Sequence, residues 1–257
     1  MKKYLKYILL MAIIFASFYL TEQSALFLRA KDPIMQTIKE YSKDYNTEAI
    51  NAKIENDYII PGMYGKRIIE IKSLMKMKSL KSFNSLFLST DMIKPNISLE
   101  DNKDKIINKG NEKKNAISFI LENDESNVIT YLVSDKINAS ILVDKESINN
   151  NKFEQINNDF NNYDYVEKIL NKDKKNTNIC IINRSNKNFC IRHKKYLVEP
   201  TYVLNSTNLV IIKNKISSGD IILIKDNVSI DDLSYLINYI KSKNLSIIKL
   251  SELISET

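Results

Sequence analysis

The stretch from Gly219 to Ile254, GDIILIKDNVSIDDLSYLINYIKSKNLSIIKLSELI, constrains the fold more than any other part of the chain. Asp220-Ile221-Ile222-Leu223-Ile224 is a short, β-branched apolar run, the pattern of a strand buried on both faces. Asp226-Asn227 ends it. Ser229 is placed to cap a helix, with Asp231 and Asp232 in the first turn, where a helix favours negative charge. Leu233, Leu236, Ile237 and Ile240 then recur at helical spacing, and Asn244 suits a left-handed C-terminal cap. Ser246 to Leu250 reads as a second strand, with Ser251 capping a short last helix. Strand, helix, strand with tight joints is a βαβ unit with parallel strands and a right-handed crossover.

The chain has 257 residues, enough for one sizeable core or a core with a small extra domain. Its 44% hydrophobic content favours a globular body over disorder. It has four glycines, at 62, 65, 110 and 219, and no G-x-G-x-x-G or P-loop, which excludes nucleotide binding by those routes. Gly62-Met63-Tyr64-Gly65 spells the G-x-x-G clamp of KH domains, but a turn after Pro61 accounts for it, and no helix pair flanks it. The formal charge of +7 divides into +4 in the first 31 residues and +3 in the rest. Nucleic acid is therefore not an expected partner. One local run, Lys66, Arg67, Lys72, Lys76, Lys78 and Lys81 against Glu70, is basic. It reads as a solvated face or as a contact for anionic membrane or wall polymer.

Lys2, Lys3 and Lys6 precede an uncharged, mostly apolar stretch from Tyr7 to Leu20, the order of an export signal. No A-x-A site follows. Extension to Ala25-Leu26-Phe27-Leu28 gives enough length for a span. Residues 1–31 are read as a signal anchor with the body outside, and a cleaved signal is the alternative. Outside the cytoplasm Cys180 and Cys190 can pair. Asn178–Asn183 and Asn188–Arg192 read as two strands of a hairpin about Ser185, which sets the cysteines opposite one another. The alternative is two reduced, small apolar residues.

Asp32-Pro33 opens a juxtamembrane helix. Ile50, Ala52 and Ile54 alternate as a strand, Ile69 and Ile71 form a short extended piece, and Leu74–Leu80 is helical. Residues 93–110 read as polar connection. Residues 32–110 are thus expected as a small α+β extension, and 111–257 as the main domain. There, Ala116–Leu121 is a buried strand, Ser126 opens a helix, and Ala139–Val143 is the next strand. Ser147–Asp164 is irregular or partly helical, Val166–Leu170 is a short helix, and Tyr196–Pro200 and Leu209–Ile212 are strands. Alternating strands and helices give an α/β class, as open sheet or barrel.

Two of these segments resemble the polysaccharide deacetylases, the NodB-homology domains of carbohydrate esterase family 4. Ala116-Ile117-Ser118-Phe119, the helix after it and Ala139–Val143 look like that family's first strand, first helix and second strand. Gly219–Asp226 and Ile237–Leu253 look like its last strand and closing helix. The resemblance covers roughly residues 115–254. It implies a distorted (β/α) barrel, here incomplete because the body is short, and a cell-wall or surface polysaccharide as partner.

The chemistry the resemblance implies is not carried over. The family's aspartate base and aspartate metal ligand would fall at Ile120 and Leu121, which can neither take a proton nor bind a cation. The H-x-x-x-H metal pair would fall near Asn149–Asp164, where there is no histidine. The catalytic histidine position is Lys225, with Asp226 retained. The arginine motif has no match better than Arg192. His193 is the sole histidine in the chain, beside Lys194 and Lys195, and reads as an exposed loop residue. No metal and no cofactor is therefore expected. Glu122, Asp124 and Glu125 follow the first strand and Asp226 ends a later one. A relocated carboxylate pair there would need a separation of ~5–10 Å; ordinary loop polarity and helix capping explain the same residues. The leading expectation is a membrane-anchored, deacetylase-like module without metal-dependent activity that binds glycan or acts as scaffold. The alternative is an active deacetylase or glycan hydrolase with relocated carboxylates. Oligomeric state is left open.

Overall fold

The computed structural model of the chain describes residues 2–123, 126–148, 153–173, 175, 177–183 and 186–257. In chain order, α1 (Lys2–Lys31) and α2 (Pro33–Tyr45) precede β1 (Lys53–Glu55), β2 (Tyr58–Ile60), β3 (Gly65–Ile68), α3 (Glu70–Met77), β4 (Thr90–Ile93) and β5 (Ile106–Ile107). Next come β6 (Ala116–Leu121), α4 (Ser126–Ser134), β7 (Ser140–Val143), β8 (Glu154–Asn157), α5 (Tyr163–Lys172), β9 (Ile179–Ile181) and α6 (Lys187–Arg192). The chain closes with β10 (Tyr196–Val198), β11 (Tyr202–Leu204), α7 (Leu209–Lys215), β12 (Ile221–Ile224), α8 (Ile230–Ser242), β13 (Ser246–Ile247) and α9 (Leu250–Ile254).

Two compact units divide these elements. One holds Met1–Glu48 and Gly65–Ile93, the other Ala49–Tyr64 and Lys94–Thr257. The stretch 32–110, expected as a single extension, is thus shared between them. In the first unit Asp32 caps α2, its side chain accepting from the Ile34 amide at 2.9 Å, and Pro33 takes the first helical position. Met35, Ile38, Ile68, Leu74 and Met77 form a small core under the antiparallel pair β3–β4. Ile69 and Ile71 do not form an extended piece, because α3 begins at Glu70. Within α1, Leu10–Lys31 is the one helix among the described residues long and apolar enough to cross a membrane.

The second unit is α/β. Its larger sheet runs β11-β12-β6-β7-β8, with β13 also on β6, and all these pairs are parallel. β6 is wholly buried. Alternate residues of a strand face opposite sides. Ile117, Phe119 and Leu121 accordingly pack with α4 and α8 residues such as Leu132, Leu236 and Ile240, while Ala116 and Ile120 pack with Ile156, Val198 and Leu250. The C-terminal βαβ unit is present, with Ser229 accepting from the Asp232 amide at 3.1 Å and Asn244 at φ 57°. Its strands β12 and β13 are not neighbours; β6 lies between them. The smaller sheet runs β1-β2-β5-β10-β9, parallel except at β1. No ladder between described strands joins the two sheets.

Several short segments differ from expectation. Leu209–Ile212 is not a strand but the start of α7, with Ile212 buried and Val210 and Ile211 exposed. Asn188–Arg192 is likewise not a strand but part of α6, so there is no cysteine hairpin. One local device explains both. Asn183 and Asn186 bond reciprocally, each amide donating to the other's side-chain oxygen (2.7 and 3.1 Å), and Asn186 Nδ2 donates to the Ile181 carbonyl. After β11 the Asn205 amide donates to Asn208 Oδ1 at 3.0 Å, and Asn208 Nδ2 donates to the Val203 carbonyl. In each Asn-x-x-Asn pair the second asparagine presents its carbonyl to the first turn of a helix. Ser185, expected at the hairpin tip, lies outside the described residues. The region 147–164 contains β8, and the supposed connection 93–110 contains β5, a central strand of the smaller sheet.

Candidate functional site

The register of β12 on β6 pairs Ile224 with Leu121, and the Glu122 amide donates to the Ile224 carbonyl at 3.1 Å. The Lys225 amide donates to the Leu204 carbonyl at 3.0 Å. Glu122 and Lys225 therefore leave adjacent strand ends side by side, and their side chains form an ion pair that is 31% and 39% exposed. Next to it Asn123 Nδ2 donates to Asp226 Oδ2 at 2.5 Å. The fold brings Glu122 and Asp226 to one rim but gives each its own partner. Asp124 and Glu125 lie outside the described residues.

Below this rim, Ile120 and Leu121 stand at the two positions where the family resemblance requires carboxylates. They are 0% and 3% exposed and pack into the cores on opposite faces of the sheet. A divalent cation needs oxygen or nitrogen donors. Two aliphatic side chains and a lysine already paired to the nearest carboxylate do not supply them. Among the described residues no three His, Cys, Asp or Glu side chains converge on a point. The residues present do not fit the metal of the family. His193 follows α6, exposed, its ring 4.4 Å from that of Phe189 and 4.6 Å from that of Tyr163. Cys180 on β9 and Cys190 on α6 are joined as a disulfide, with Cα atoms 6.0 Å apart, in a small cluster with Ile106 and Leu197.

A concavity lies beside α9, near the strand starts of the larger sheet. Ser140 and Glu154 are the first residues of β7 and β8. Ser140 Oγ donates to Glu154 Oε2 at 2.6 Å, and the two oxygens accept the Leu250 and Ser251 amides at 3.0 and 3.1 Å, which seats α9 against these strand starts. Beside α9 a cleft of about 260 Å³ is lined by Tyr64, Leu99, Glu100, Thr177, Tyr196 and Ser251, with residues 254–257. Burial, then the carboxylates of Glu100 and Glu256, push the Tyr196 phenol above its ordinary value. Lys103 Nζ sits 5.3 Å from its ring centroid. Glu256 is held by the chain before Tyr64: the Gly62 amide donates to Glu256 Oε1 at 3.1 Å, and the Tyr64 amide to the Glu256 carbonyl at 2.6 Å. A Cβ on Gly62 would lie 2.1 Å from the Ile50 carbonyl oxygen, so close backbone approach requires this glycine. The G-x-x-G stretch runs between β2 and β3, not between two helices, and is no KH clamp. Sequence reading missed the cleft because its walls come from segments far apart in the chain, none with a motif of its own.

No family model matches the chain. An uncharacterised Bacillus subtilis protein, YlxY, is 29% identical over 93 residues, a match covering 36% of this chain and 29% of that protein. The matched region is thus under a third of that relative's length. Among solved structures, wild-type BA3943, described as a family 4 carbohydrate esterase pseudoenzyme from Bacillus anthracis, is 17% identical. It aligns over 88% of this chain and 96% of its own at a TM-score of 0.49. PdaA of Bacillus subtilis, described as a family 4 carbohydrate esterase, is 14% identical and aligns over 80% and 97% at a TM-score of 0.42. These structures belong to the family that the sequence motifs resemble.

Proposed function

We propose that this chain is a membrane-anchored, extracytoplasmic polysaccharide-deacetylase-like module that holds glycan without metal-dependent hydrolysis. The observation that carries the reading is the rim of β6 and β12: a Lys225–Glu122 ion pair above buried Ile120 and Leu121. The two open sheets are then an incomplete (β/α) barrel. Helix α1 is its anchor, uncleaved, and the Cys180–Cys190 pair suits an oxidising exterior. Mass measurement of the chain from membranes, with and without reductant, tests both: a chain starting near residue 25, or two free thiols, defeats these points.

Glycan is assigned to the α9 cleft. Tyr64 and Tyr196 line it with aromatic side chains, and Glu100, Thr177 and Ser251 add polar groups suited to sugar hydroxyls. Its size suits a terminal sugar rather than a threaded polymer. The full chain is expected to bind neither Zn²⁺ nor Co²⁺ stoichiometrically, to release no acetate from an acetylated chitooligosaccharide, and to bind wall polysaccharide less well as Tyr196→Ala. Stoichiometric metal with turnover would overturn the reading. Turnover without metal that disappears in Glu122→Gln or Asp226→Asn would favour the relocated-carboxylate hydrolase, which rests on those two residues sharing one rim.

A further inference from the structure

The basic run in the first compact unit has no role in that function, and its setting is specific. From Ile71 to Thr90 the chain has four lysines and no aspartate or glutamate. Helix α3 turns Leu74 and Met77 into the core shared with α2 and buries Ser73 against Ser89. That leaves Lys72, Met75 and Lys76 outward, followed by exposed Lys78 and Lys81. Met75 is 69% exposed, and Leu86, in the short turn after the helix, 89%. Singly exposed apolar side chains are ordinary; these two stand out because the segment that carries them is basic. Apolar tips set among lysines are what the headgroup boundary of an anionic bilayer accepts: the tips enter the acyl edge and each lysine near the surface adds electrostatic attraction. The same compact unit contains α1, the helix able to cross a membrane.

We propose that the outer face of α3 and the turn bearing Leu86 form a docking surface for anionic phospholipid. It would lay this unit onto the membrane that α1 enters. The proposal rests on the anchored reading above, and one experiment separates the two. The chain has no tryptophan, so Leu86→Trp makes a single reporter in the full-length protein. The protein is reconstituted into vesicles of phosphatidylcholine alone, or with phosphatidylglycerol, and read by emission wavelength and by quenching from acyl-brominated lipid.

Blue-shifted, at least twofold-quenched emission is expected in the anionic vesicles. It should fall to the phosphatidylcholine value when Lys72, Lys76, Lys78 and Lys81 are all changed to glutamine. Met75→Trp should behave alike, which guards against a local effect of one substitution. A chain that floats with both kinds of vesicle yet shows equal quenching in each, or none, overturns the lipid surface and leaves the anchor standing. A chain that fails to float with phosphatidylcholine vesicles defeats the anchor itself. A blue shift caused by soluble polyanion but not by lipid assigns the face to a polymer and also overturns the proposal.

Discussion

The two ends of the larger sheet are built differently. At the strand starts, backbone and buried polar groups are locked together. The Gly219 amide donates to the Ala116 carbonyl and the Gly110 amide to the Gly219 carbonyl, both at 2.7 Å. The buried carboxylate of Asp220 accepts from the Ser217 amide at 2.7 Å, and Ser140 with Glu154 seats α9. At the strand ends, where enzymes of barrel type place their chemistry, side chains meet in partly exposed pairs, Glu122 with Lys225 and Asn123 with Asp226. One end is buried and bonded through the backbone, while the other is partly exposed and bonded through side chains. Substitution of the rim side chains is therefore expected to disturb the strand starts little.

The sharpest test of this contrast is Gly219→Ala. Gly219 has φ 89°, and a Cβ there would lie 2.7 Å from the Gly110 carbonyl oxygen. Left-handed strain and a backbone clash together should cost on the order of 3 kcal/mol, read as a fall in the urea midpoint. A loss under 1 kcal/mol would show that the strand starts are not the rigid end. Ser140→Ala should come next. It removes a fully buried hydroxyl, strands the Leu250 amide and takes a donor from Glu154, for about 1–3 kcal/mol. Increased proteolysis confined to the C-terminal helix would confirm that α9 is what the pair holds.

What the sequence disclosed follows the same division. The buried strands β6, β7 and β12 and the amphipathic helix α8 were legible because long apolar runs and helical periodicity are decided locally and confirmed by burial. The mismatch between Ile120, Leu121 and Lys225 and the donors a metal needs was likewise legible, since it depends on residue type alone. Helices α6 and α7 were not, since four to six apolar residues fit either structure and the Asn-x-x-Asn turns that decide them act through side-chain bonds no periodicity reveals. Strand β5 is two residues long and exists only because its neighbours β2 and β10 flank it. The α9 cleft is assembled from remote segments, so only the folded chain displays it.

Asp220 gives a smaller, pH-dependent contrast. Its carboxyl is 1% exposed, and burial raises its pKa above the ordinary 3.8, against the opposing pull of the Ser217 amide and of Lys109 at 3.8 Å. A raised folded value means that the native state holds the proton more tightly than the unfolded chain. The stability from this group is complete below pH 3.8 and lost as pH rises through the folded value. Asp220→Asn keeps the acceptor for Ser217 and leaves Lys109 with Glu112 at 2.8 Å. The variant should therefore gain on the native protein as pH climbs from 3.8 toward neutrality, in paired urea titrations. A difference that stays flat with pH would show that Lys109 fully offsets the burial.

The smallest effect belongs to the rim. Lys225 and Glu122 are about one-third exposed, and pairs of this kind couple by roughly 0.2–1 kcal/mol. In a double-mutant cycle, Lys225→Gln and Glu122→Gln should each cost under about 1 kcal/mol, and the coupling should shrink further in 1 M salt, where the Debye length is ~3 Å. Were the rim a rigid site like the strand starts, removing one partner would instead leave a buried, uncompensated charge and cost 3–5 kcal/mol. The two outcomes lie far enough apart to be decided by denaturation alone. A weak, salt-sensitive coupling marks Lys225 and Glu122 as an ordinary surface pair; a strong one would mean that the lysine–glutamate pair is a structural element in its own right.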